Sequence, residues 1–477
     1  MSTIGTGIRR TRKVATYERF CAVDFDRSQK GALVASFARN CDFENGALRS
    51  GFGVKRYYLE SQPENALPSA LTGYGQPKIV FTALIRTADG NVKRTVGLQS
   101  EMNHVYIYDI DGDAVVYVGT FEDVMRVISY VCPDGTPKVV FCAVDQLVVY
   151  EFPNKTNKVL EGKLTGACVF HERLFVATKH SLAYSAPTEI ENFEPTLNGG
   201  GEIAFDSERG DIVWVESLGE SMYVFFEYGL AKLTASGAGS EFVVTNIPYN
   251  SGKILARTVS VFEDKLVFAS VEGVFVFDGR KCTKIKTVGL APIKNNTLRA
   301  SAGCLEGRYF LGYADEQGNR RSLFVDLADE KNQGECFFVC GLNESGGKVM
   351  CLSDYEYSYL DRAGDLPQQE EYSFKVSACD FGSRAEKSIK YLCLQGVGSC
   401  VVKVKGRSGV RTISFDLGTR ESVGIDGEIN VNGADVVGGK RKIVGLKGRE
   451  FAFEITLQKG CVIRKMSVEY DELGGVK

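Results

Sequence analysis

The sequence predicts an all-β protein: a β-propeller of six or seven blades followed by a C-terminal antiparallel β-sandwich. Three observations support this fold class. The composition is rich in glycine (52 residues) and poor in proline (11), a two-strand pattern recurs along the middle of the chain, and apolar and polar residues alternate near the C-terminus. Abundant valine and aromatic residues favour strands, and glycine, asparagine and aspartate favour tight turns between them. A chain of 477 residues is long enough for two or three domains.

Residues 1–57 are predicted to form an N-terminal arm and the strands that lead into the propeller. The stretch RNCDFENGALRSGFGVKRY, residues 39–57, combines a short half-polar strand, an Asn45-Gly46 turn and a basic-aromatic cluster. The arm is interpreted either as a docking segment or as a solvated terminus, and the basic-aromatic cluster as a cover for an edge of the propeller. The basic residues of the arm and the cluster are Arg9, Arg10, Arg12, Lys13, Lys55 and Arg56. Deletion of residues 1–20 is therefore expected to weaken assembly without preventing folding.

Residues 58–368 are predicted to be the propeller, because one pattern recurs there. FHERLFVATKHSLAY from Phe170, LGESMYVFFEYGLAK from Leu218 and FEDKLVFASVEGVFV from Phe262 align without gaps and start 48 and 44 residues apart. A fourth copy begins 43 residues further on at Leu305. Each copy predicts two antiparallel strands around a polar turn, and this spacing is typical of four-stranded propeller blades. The alternative is an array of unrelated hairpins in a sandwich.

Residues 369–477 are predicted to form the C-terminal sandwich, after a linker marked by Pro367. In REFAFEITL the apolar side chains fall on alternate positions from Phe451 to Leu457, and SCVVKVKG alternates valine with lysine. This period of two predicts half-buried antiparallel strands.

No catalytic, cofactor or metal site is predicted. Asp109, Asp111 and Asp113 are spaced like ligands of a calcium loop, but the required glutamate is missing, so the stretch is interpreted as an Asp-Gly hairpin turn. No pairwise spacing among the three histidines, His104, His171 and His180, predicts a metal site. They are expected to be solvated surface residues.

The cysteines are predicted to be free thiols packed as small apolar residues, because the chain is neither small nor secreted in type. Cys336 and Cys340 resemble a CxxxC pair, but ECFFVC is interpreted as one strand, which would hold the two residues about 13 Å apart. No nucleophile-elbow, P-loop or dinucleotide-binding motif occurs, and the chain is not predicted to be an enzyme. Glycan hydrolysis by a pair of carboxylates is the alternative, because the sequence does not show which carboxylates converge.

The formal charge of -3 is unevenly distributed along the chain. Residues 1–57 hold 11 basic and 5 acidic residues, residues 58–368 hold 28 and 41, and residues 369–477 hold 18 and 14. These counts give +6, -13 and +4. An acidic middle does not indicate a nucleic-acid-binding surface. No stretch of eighteen apolar residues occurs, so synthesis in the cytoplasm without a membrane segment is expected.

Several segments resemble the tail hub proteins of short-tailed phages, also called nozzle or packaged-DNA-stabilising proteins. The resemblance rests on NCDFENGALRSGFGVKRY, ERLFVATKHSLAYSAPTEIENFE, GDIVWVESLGESMYVFFEYGLAKL, VSVFEDKLVFASVEGVFVFDG and GREFAFEITLQKGCVIRKMSVEY, in this order. The fourteen cysteines and the basic arm depart from that family's pattern.

This resemblance implies a structural component of the virion tail, made in the host cytoplasm and needing no cofactor. Several copies would form a homo-oligomeric ring below the head-to-tail connector or adaptor, continue the DNA channel, retain the packaged DNA and anchor tail fibres or spikes. DNA would pass without sequence-specific binding, because an acidic wall repels phosphates. Two alternatives are a non-viral propeller scaffold that binds peptides, and a carbohydrate-binding or glycan-hydrolysing propeller.

Overall fold

The computed structural model describes residues 10–22, 31–56, 78–86, 92–100, 102–109, 114–152, 155–196, 199–236, 241–287, 293, 300–345, 347–353, 356–418 and 438–473. The chain divides into two units. The propeller unit comprises Lys55–Ser322 and Phe338–Leu360, and the sandwich unit comprises Met1–Val54, Leu323–Phe337 and Asp361–Lys477.

The N-terminal segment contains seven strands within the described ranges and one short 3-10 turn, Glu44–Gly46. The strands are β1 (Arg10–Tyr17), β2 (Arg19–Cys21), β3 (Ala32–Val34), β4 (Phe37–Arg39), β5 (Cys41–Asp42), β6 (Leu48–Ser50) and β7 (Gly53–Arg56).

The middle of the chain supplies the strands of the blades. They are β8 (Lys78–Arg86), β9 (Val92–Gln99), β10 (His104–Asp109), β11 (Ala114–Thr120), β12 (Val124–Val131), β13 (Pro137–Ala143), β14 (Gln146–Glu151), β15 (Lys155–Glu161), β16 (Gly166–Phe170), β17 (Arg173–Ala177), β18 (Ser181–Tyr184), β19 (Gly201–Ala204), β20 (Ile212–Leu218), β21 (Ser221–Phe226), β22 (Gly229–Ser236), β23 (Glu241–Ile247), β24 (Ser260–Phe262), β25 (Lys265–Ser270), β26 (Gly273–Phe277), β27 (Cys282–Lys284), β28 (Ser301–Leu305), β29 (Arg308–Ala314), β30 (Arg320–Asp326), β31 (Gln333–Cys336), β32 (Cys340–Ser345), β33 (Lys348–Ser353) and β34 (Glu356–Asp361).

The propeller unit contains seven blades in its described residues. Five sheets consist of four consecutive strands each, from β8–β11 to β24–β27; the sixth contains β28, β29 and β30, and the seventh contains β32, β33, β34 and, as its outer strand, β7. First strands of neighbouring sheets contact each other in the series β8, β12, β16 and β20 and in the series β24, β28 and β32, and β32 returns to contact β8. Between the fourth and fifth blades, side chains such as Trp214 and Phe268 share one apolar cluster. The backbone N–H of Thr82 donates to the Ser345 hydroxyl (2.8 Å) at this closure. The predicted propeller is therefore confirmed, with seven blades.

The repeated pattern marks the first three strands of a blade. Its polar turn joins the first two strands, and the turn residues have positive φ at Glu172 (58°), Gly219 (57°), Glu263 (53°) and Glu306 (50°). Paired left-handed residues give the twist that tight hairpins need. The repeated apolar positions are all fully buried: Leu174, Leu182, Met222, Leu230, Leu266 and Val274.

The C-terminal part of the chain supplies long antiparallel strands. They are β35 (Tyr372–Cys379), β36 (Glu386–Val397), β37 (Ser399–Gly406), β38 (Gly409–Asp416), β39 (Gly438–Gly448), β40 (Phe451–Leu457) and β41 (Val462–Leu473).

The sandwich unit has two large sheets around one core, together with a short parallel pair, β2–β3. One has the order β39-β36-β41-β6-β5, with β1 also paired to β41, and the other includes β31-β4-β35-β40-β37-β38. Side chains of both sheets, such as Ile389, Met466, Val402 and Phe453, share a single apolar cluster. The alternation predicted for β40 is confirmed, because its burial alternates along the whole strand.

The predicted domain boundaries differ from these units. Residues 1–54 and 323–337 belong with the C-terminal strands, because β1 pairs with β41 over eight residues and Phe20 packs edge-on against Phe374 (ring centroids 5.8 Å) in the core. The structure argues against the expectation that residues 1–20 can be deleted without affecting folding, which stays a prediction until the deletion is made. Such a deletion removes a sheet strand and a core side chain.

Two shorter predictions have different outcomes. The Asn45-Gly46 turn is confirmed, since it connects β5 to β6, and both residues have positive φ (53° and 77°). The interpretation of ECFFVC as one strand is wrong, because β31 ends at Cys336 and β32 begins at Cys340.

Candidate functional site

The basic residues predicted from the sequence do not form one site. Within β1, Arg12 pairs with Asp471 (3.8 Å) and Lys13 with Glu472 (2.7 Å) of β41. The basic side chains of these pairs are exposed (63% and 45%), while the carboxylates are largely covered (11% and 17%). Pairs with a solvated cation contribute modestly to stability. Arg10 starts the same strand, and Arg9 lies outside the described residues. Lys55 and Arg56 lie in β7, the outer strand of the seventh blade; that they cover an edge of the propeller stays a prediction.

The propeller unit contains a cavity of about 590 Å³ within its ring of blades. Six of the seven first strands contribute to its wall: β8, β12, β20, β24, β28 and β32. We call it the axial cavity. Its volume lies in the range of pockets that bind small ligands, and both aromatic and charged side chains line it. It is the main candidate functional site of this unit.

An ion pair between non-adjacent blades crosses the interior of the ring. Arg126 of β12, in the second blade, donates two hydrogen bonds of 2.8 Å to the carboxylate of Glu216 on β20, in the fourth blade. The indole N–H of Trp214 also donates to Glu216 (3.4 Å), and the Arg126 guanidinium lies 5.8 Å from the Trp214 ring centre. Burial lowers the pKa of Arg126, but the charge and hydrogen bonds of Glu216 outweigh burial and raise it. Such bidentate pairs are stronger than neutral hydrogen bonds.

A second ion pair also spans the ring. Arg257, just before β24 of the fifth blade, donates to Asp123, just before β12 of the second blade. Arg257 has positive φ (61°) and its carbonyl accepts from the N–H of Ala302 (3.2 Å) on the sixth blade. Two links thus connect the second blade to distant parts of the ring.

Glu344, on β32, is a cavity carboxylate held by neutral groups. Its Oε1 accepts the backbone N–H of Cys304 on β28, and the hydroxyl of Ser260 on β24 also hydrogen-bonds to it. Burial is the largest cause of its raised pKa, and the negative charge of Glu216 adds to it, while the two hydrogen bonds and Arg126 oppose it. Because its folded-state pKa lies above the unfolded value, ionised Glu344 destabilises the fold as the pH rises through that pKa.

Sequence reasoning missed this cavity. Neither Arg126 nor Glu216 belongs to a motif, because their partnership depends on strands about ninety residues apart. The available signal was a charge inside an otherwise apolar strand, in VMRVISYV and IVWVESL. A charge at such a position is seldom buried without a partner.

The other predicted candidates lie apart from the cavity. Asp109 ends β10 and accepts from Lys93 (2.8 Å), while Asp111 and Asp113 lie outside the described residues. His171 and His180 are exposed, as predicted. No cluster of three metal-ligating side chains occurs in the described ranges. Those ranges also contain no helix with the length and apolar character that a membrane crossing needs.

Comparisons with known proteins identify no relative by sequence. No family matches the chain, and no curated protein matches it. Among solved structures, the WD40 domain of Neurospora crassa Pan2 is similar at 10% identity and a TM-score of 0.39, over 65% of this chain and 93% of that one. BBS1N, from its complex with ARL6DN, is similar at 10% identity and a TM-score of 0.41, over 64% and 96%. These likenesses are too distant to support a function.

Proposed function

We propose that this chain is a structural component of the tail of a short-tailed phage, a hub or nozzle subunit without catalytic activity. Several copies would form a ring that continues the DNA channel below the head connector or adaptor, retains packaged DNA and anchors fibres or spikes. The observation that carries the proposal is the order of the five hub-like segments along a chain in which a propeller precedes most of a β-sandwich.

The cross-ring ion pairs indicate where the DNA channel would lie. Arg126–Glu216 and Arg257–Asp123 join non-adjacent blades, so DNA moving along a propeller's own axis would have to break both. In the proposed assembly the channel therefore lies between copies, and each propeller is part of its wall.

The charge distribution fits this position. Residues 58–368, which include nearly all of the propeller unit, hold 41 acidic and 28 basic residues. An acidic wall repels the phosphate backbone and permits sliding, whereas a basic wall would bind DNA through counterion release.

The basic arm is proposed to bind an acidic neighbouring subunit. Its four basic residues are Arg9, Arg10, Arg12 and Lys13. Replacing them with glutamine is expected to change the free energy of unfolding by less than about 1 kcal/mol, because Arg12 and Lys13 are solvated in their ion pairs. The same variant should be depleted from assembled particles when it competes with the unaltered chain in one infection, as measured by quantitative mass spectrometry. The matched control carries the same charge change on surface lysines: Lys155, Lys158, Lys163 and Lys265. Equal incorporation of both variants would contradict a docking role for the arm.

Location within particles is the direct test of the hub proposal. An antibody against this chain, with gold label on negatively stained particles from its source, is expected to mark the tail. Mass spectrometry of purified particles should then find several copies per particle. A chain that is free in the cytosol and absent from purified particles would overturn the proposal.

The axial cavity favours a second candidate, a propeller scaffold that binds peptides. This candidate differs from the hub in a measurable way, since it predicts a peptide partner and no association with particles. Recovery of the chain in particles would count against it, whatever binds in the cavity.

A further inference from the structure

We propose that the axial cavity binds an organic cation, an ammonium or guanidinium group, with Glu344 as the anion that receives it. The inference concerns the cavity alone and does not depend on the proposed role in a phage tail.

The first step is the state of the Glu344 carboxylate. Its hydrogen-bond partners are the N–H of Cys304 and the hydroxyl of Ser260, both neutral. No ion pair to Glu344 occurs among the described residues. The side chain nevertheless reaches the solvent of the cavity. Glu344 is exposed to that solvent, and a carboxylate whose hydrogen-bond partners are neutral dipoles is stabilised further when a cation approaches it.

The second step is that the cavity's arginines are engaged elsewhere. Arg126 is the cation that acts most strongly on Glu344, but Glu216 already holds its guanidinium at two points. Arg257 is paired with Asp123. Arg320, which is exposed, lies over the ring of Phe338 at 5.5 Å. An anionic ligand would therefore compete with existing carboxylates at Arg126 and Arg257, whereas a cation at Glu344 would displace no ion pair among the described residues.

The third step is the apolar part of the wall. The rings of Trp214, Tyr313 and Phe338 contribute to it. Two of these rings already have a guanidinium nearby, because Arg126 lies 5.8 Å from the centre of Trp214 and Arg320 lies 5.5 Å from that of Phe338. Aromatic faces attract ammonium and guanidinium groups, most strongly where water is excluded. A cavity of about 590 Å³ can hold a basic side chain with part of its backbone, or a small diamine.

The cation could therefore come from a lysine or arginine side chain on a partner protein, or from a free polyamine. These two sources share the chemistry that Glu344 recognises. They differ in the peptide groups that flank a side chain, so model compounds can separate them.

A tryptophan fluorescence titration tests the inference directly. The chain has a single tryptophan, and it lines the cavity, so its emission reports on this site. Nα-acetyl-argininamide, Nα-acetyl-lysinamide and putrescine would be titrated separately, with calorimetry in parallel in case the emission does not change. We expect saturable binding of at least one. Tighter binding of the amino-acid amides would indicate a protein side chain, and tighter binding of putrescine a free polyamine.

Variants at one position make the assignment specific. Glu344→Gln preserves volume and is expected to weaken binding by about tenfold or more, because a charged hydrogen-bond partner is lost. Glu344→Asp keeps the charge but has a side chain one methylene shorter, so it should weaken binding less than Glu344→Gln does. It also provides a second variant if Glu344→Gln does not fold. Glu220→Gln, on an exposed turn of the fourth blade, is the matched control and should bind normally.

The inference would be overturned by any of three results. These are no saturable binding of the three cations by either method, unchanged affinity in a folded Glu344→Gln variant, or stronger binding of Nα-acetyl-aspartamide than of the cations. None of these results bears on whether the chain is found in particles.

Discussion

Replacing Glu216 with alanine is expected to lower the free energy of unfolding of the propeller unit by about 3–5 kcal/mol. Glu216 is 6% exposed and receives both terminal nitrogens of Arg126. Its loss leaves the guanidinium inside the ring without an anion, and the Trp214 indole N–H without its acceptor. Removal of one partner from a buried ion pair is far more costly than the net contribution of the pair, because the remaining charge stays desolvated. Urea denaturation followed by tryptophan fluorescence measures the effect, since Trp214 is in the same unit.

Two further variants separate this cause from a general loss of packing. Glu220→Ala, in the same blade but on an exposed turn, should change stability by only about 0.5 kcal/mol. The double variant Arg126→Met, Glu216→Leu should recover most of the lost stability, because apolar replacements often substitute for a buried pair at little or no cost. A double variant no more stable than Glu216→Ala would show that the ion pair itself is not the reason for the loss.

The blades were predictable because their determinants are local. Each copy of the repeat carries its polar turn, its fully buried apolar positions and its two strands within about fifteen residues, as the copy from Phe170 shows. Hairpins of this kind depend on turn residues and on period-two burial, both of which are visible in a single sequence. The same holds for the alternation in β40.

The rest depends on residues that are distant in the sequence. The pairing of β1 with β41 joins residues 449 to 463 positions apart, and nothing in the basic arm indicates which strand it joins. Likewise Arg126 and Glu216 lie in different blades, and their meeting depends on the closure of the whole ring. Charged residues within apolar strands indicated that partners were required, but not which partners. This is why the fold class was predicted correctly while the cavity was missed and the compact units differ from the predicted domains.

Replacing Asp42 with alanine is expected to lower the stability of the sandwich unit by about 3–5 kcal/mol. Asp42 is 1% exposed, and it lies within the stretch NCDFENG, residues 40–46. One carboxylate oxygen accepts from the Asn332 amide (2.8 Å) and the other from Arg362 (2.7 Å). Asn332 in turn accepts the backbone N–H of Phe43 (2.9 Å). The substitution therefore removes the 2.7 Å carboxylate partner of Arg362, whose contact with Glu44 is longer (3.7 Å). It also removes one of two carboxylates that hold the Asn332 amide, the other being Asp326.

A double-mutant cycle tests whether Asp42 acts through Arg362. Asp42→Ala, Arg362→Ala and the double variant would be compared by urea denaturation followed by circular dichroism, with hydrogen exchange of β5 and β6 assigning the loss to this unit. We expect the double variant to be about as stable as Asp42→Ala alone, because each single change already breaks the pair. Glu450→Ala, on an exposed turn between β39 and β40, is the control and should change stability little. Strictly additive losses would mean that the two side chains stabilise the fold independently, and that the buried pair does not explain why this short N-terminal strand is held in the core.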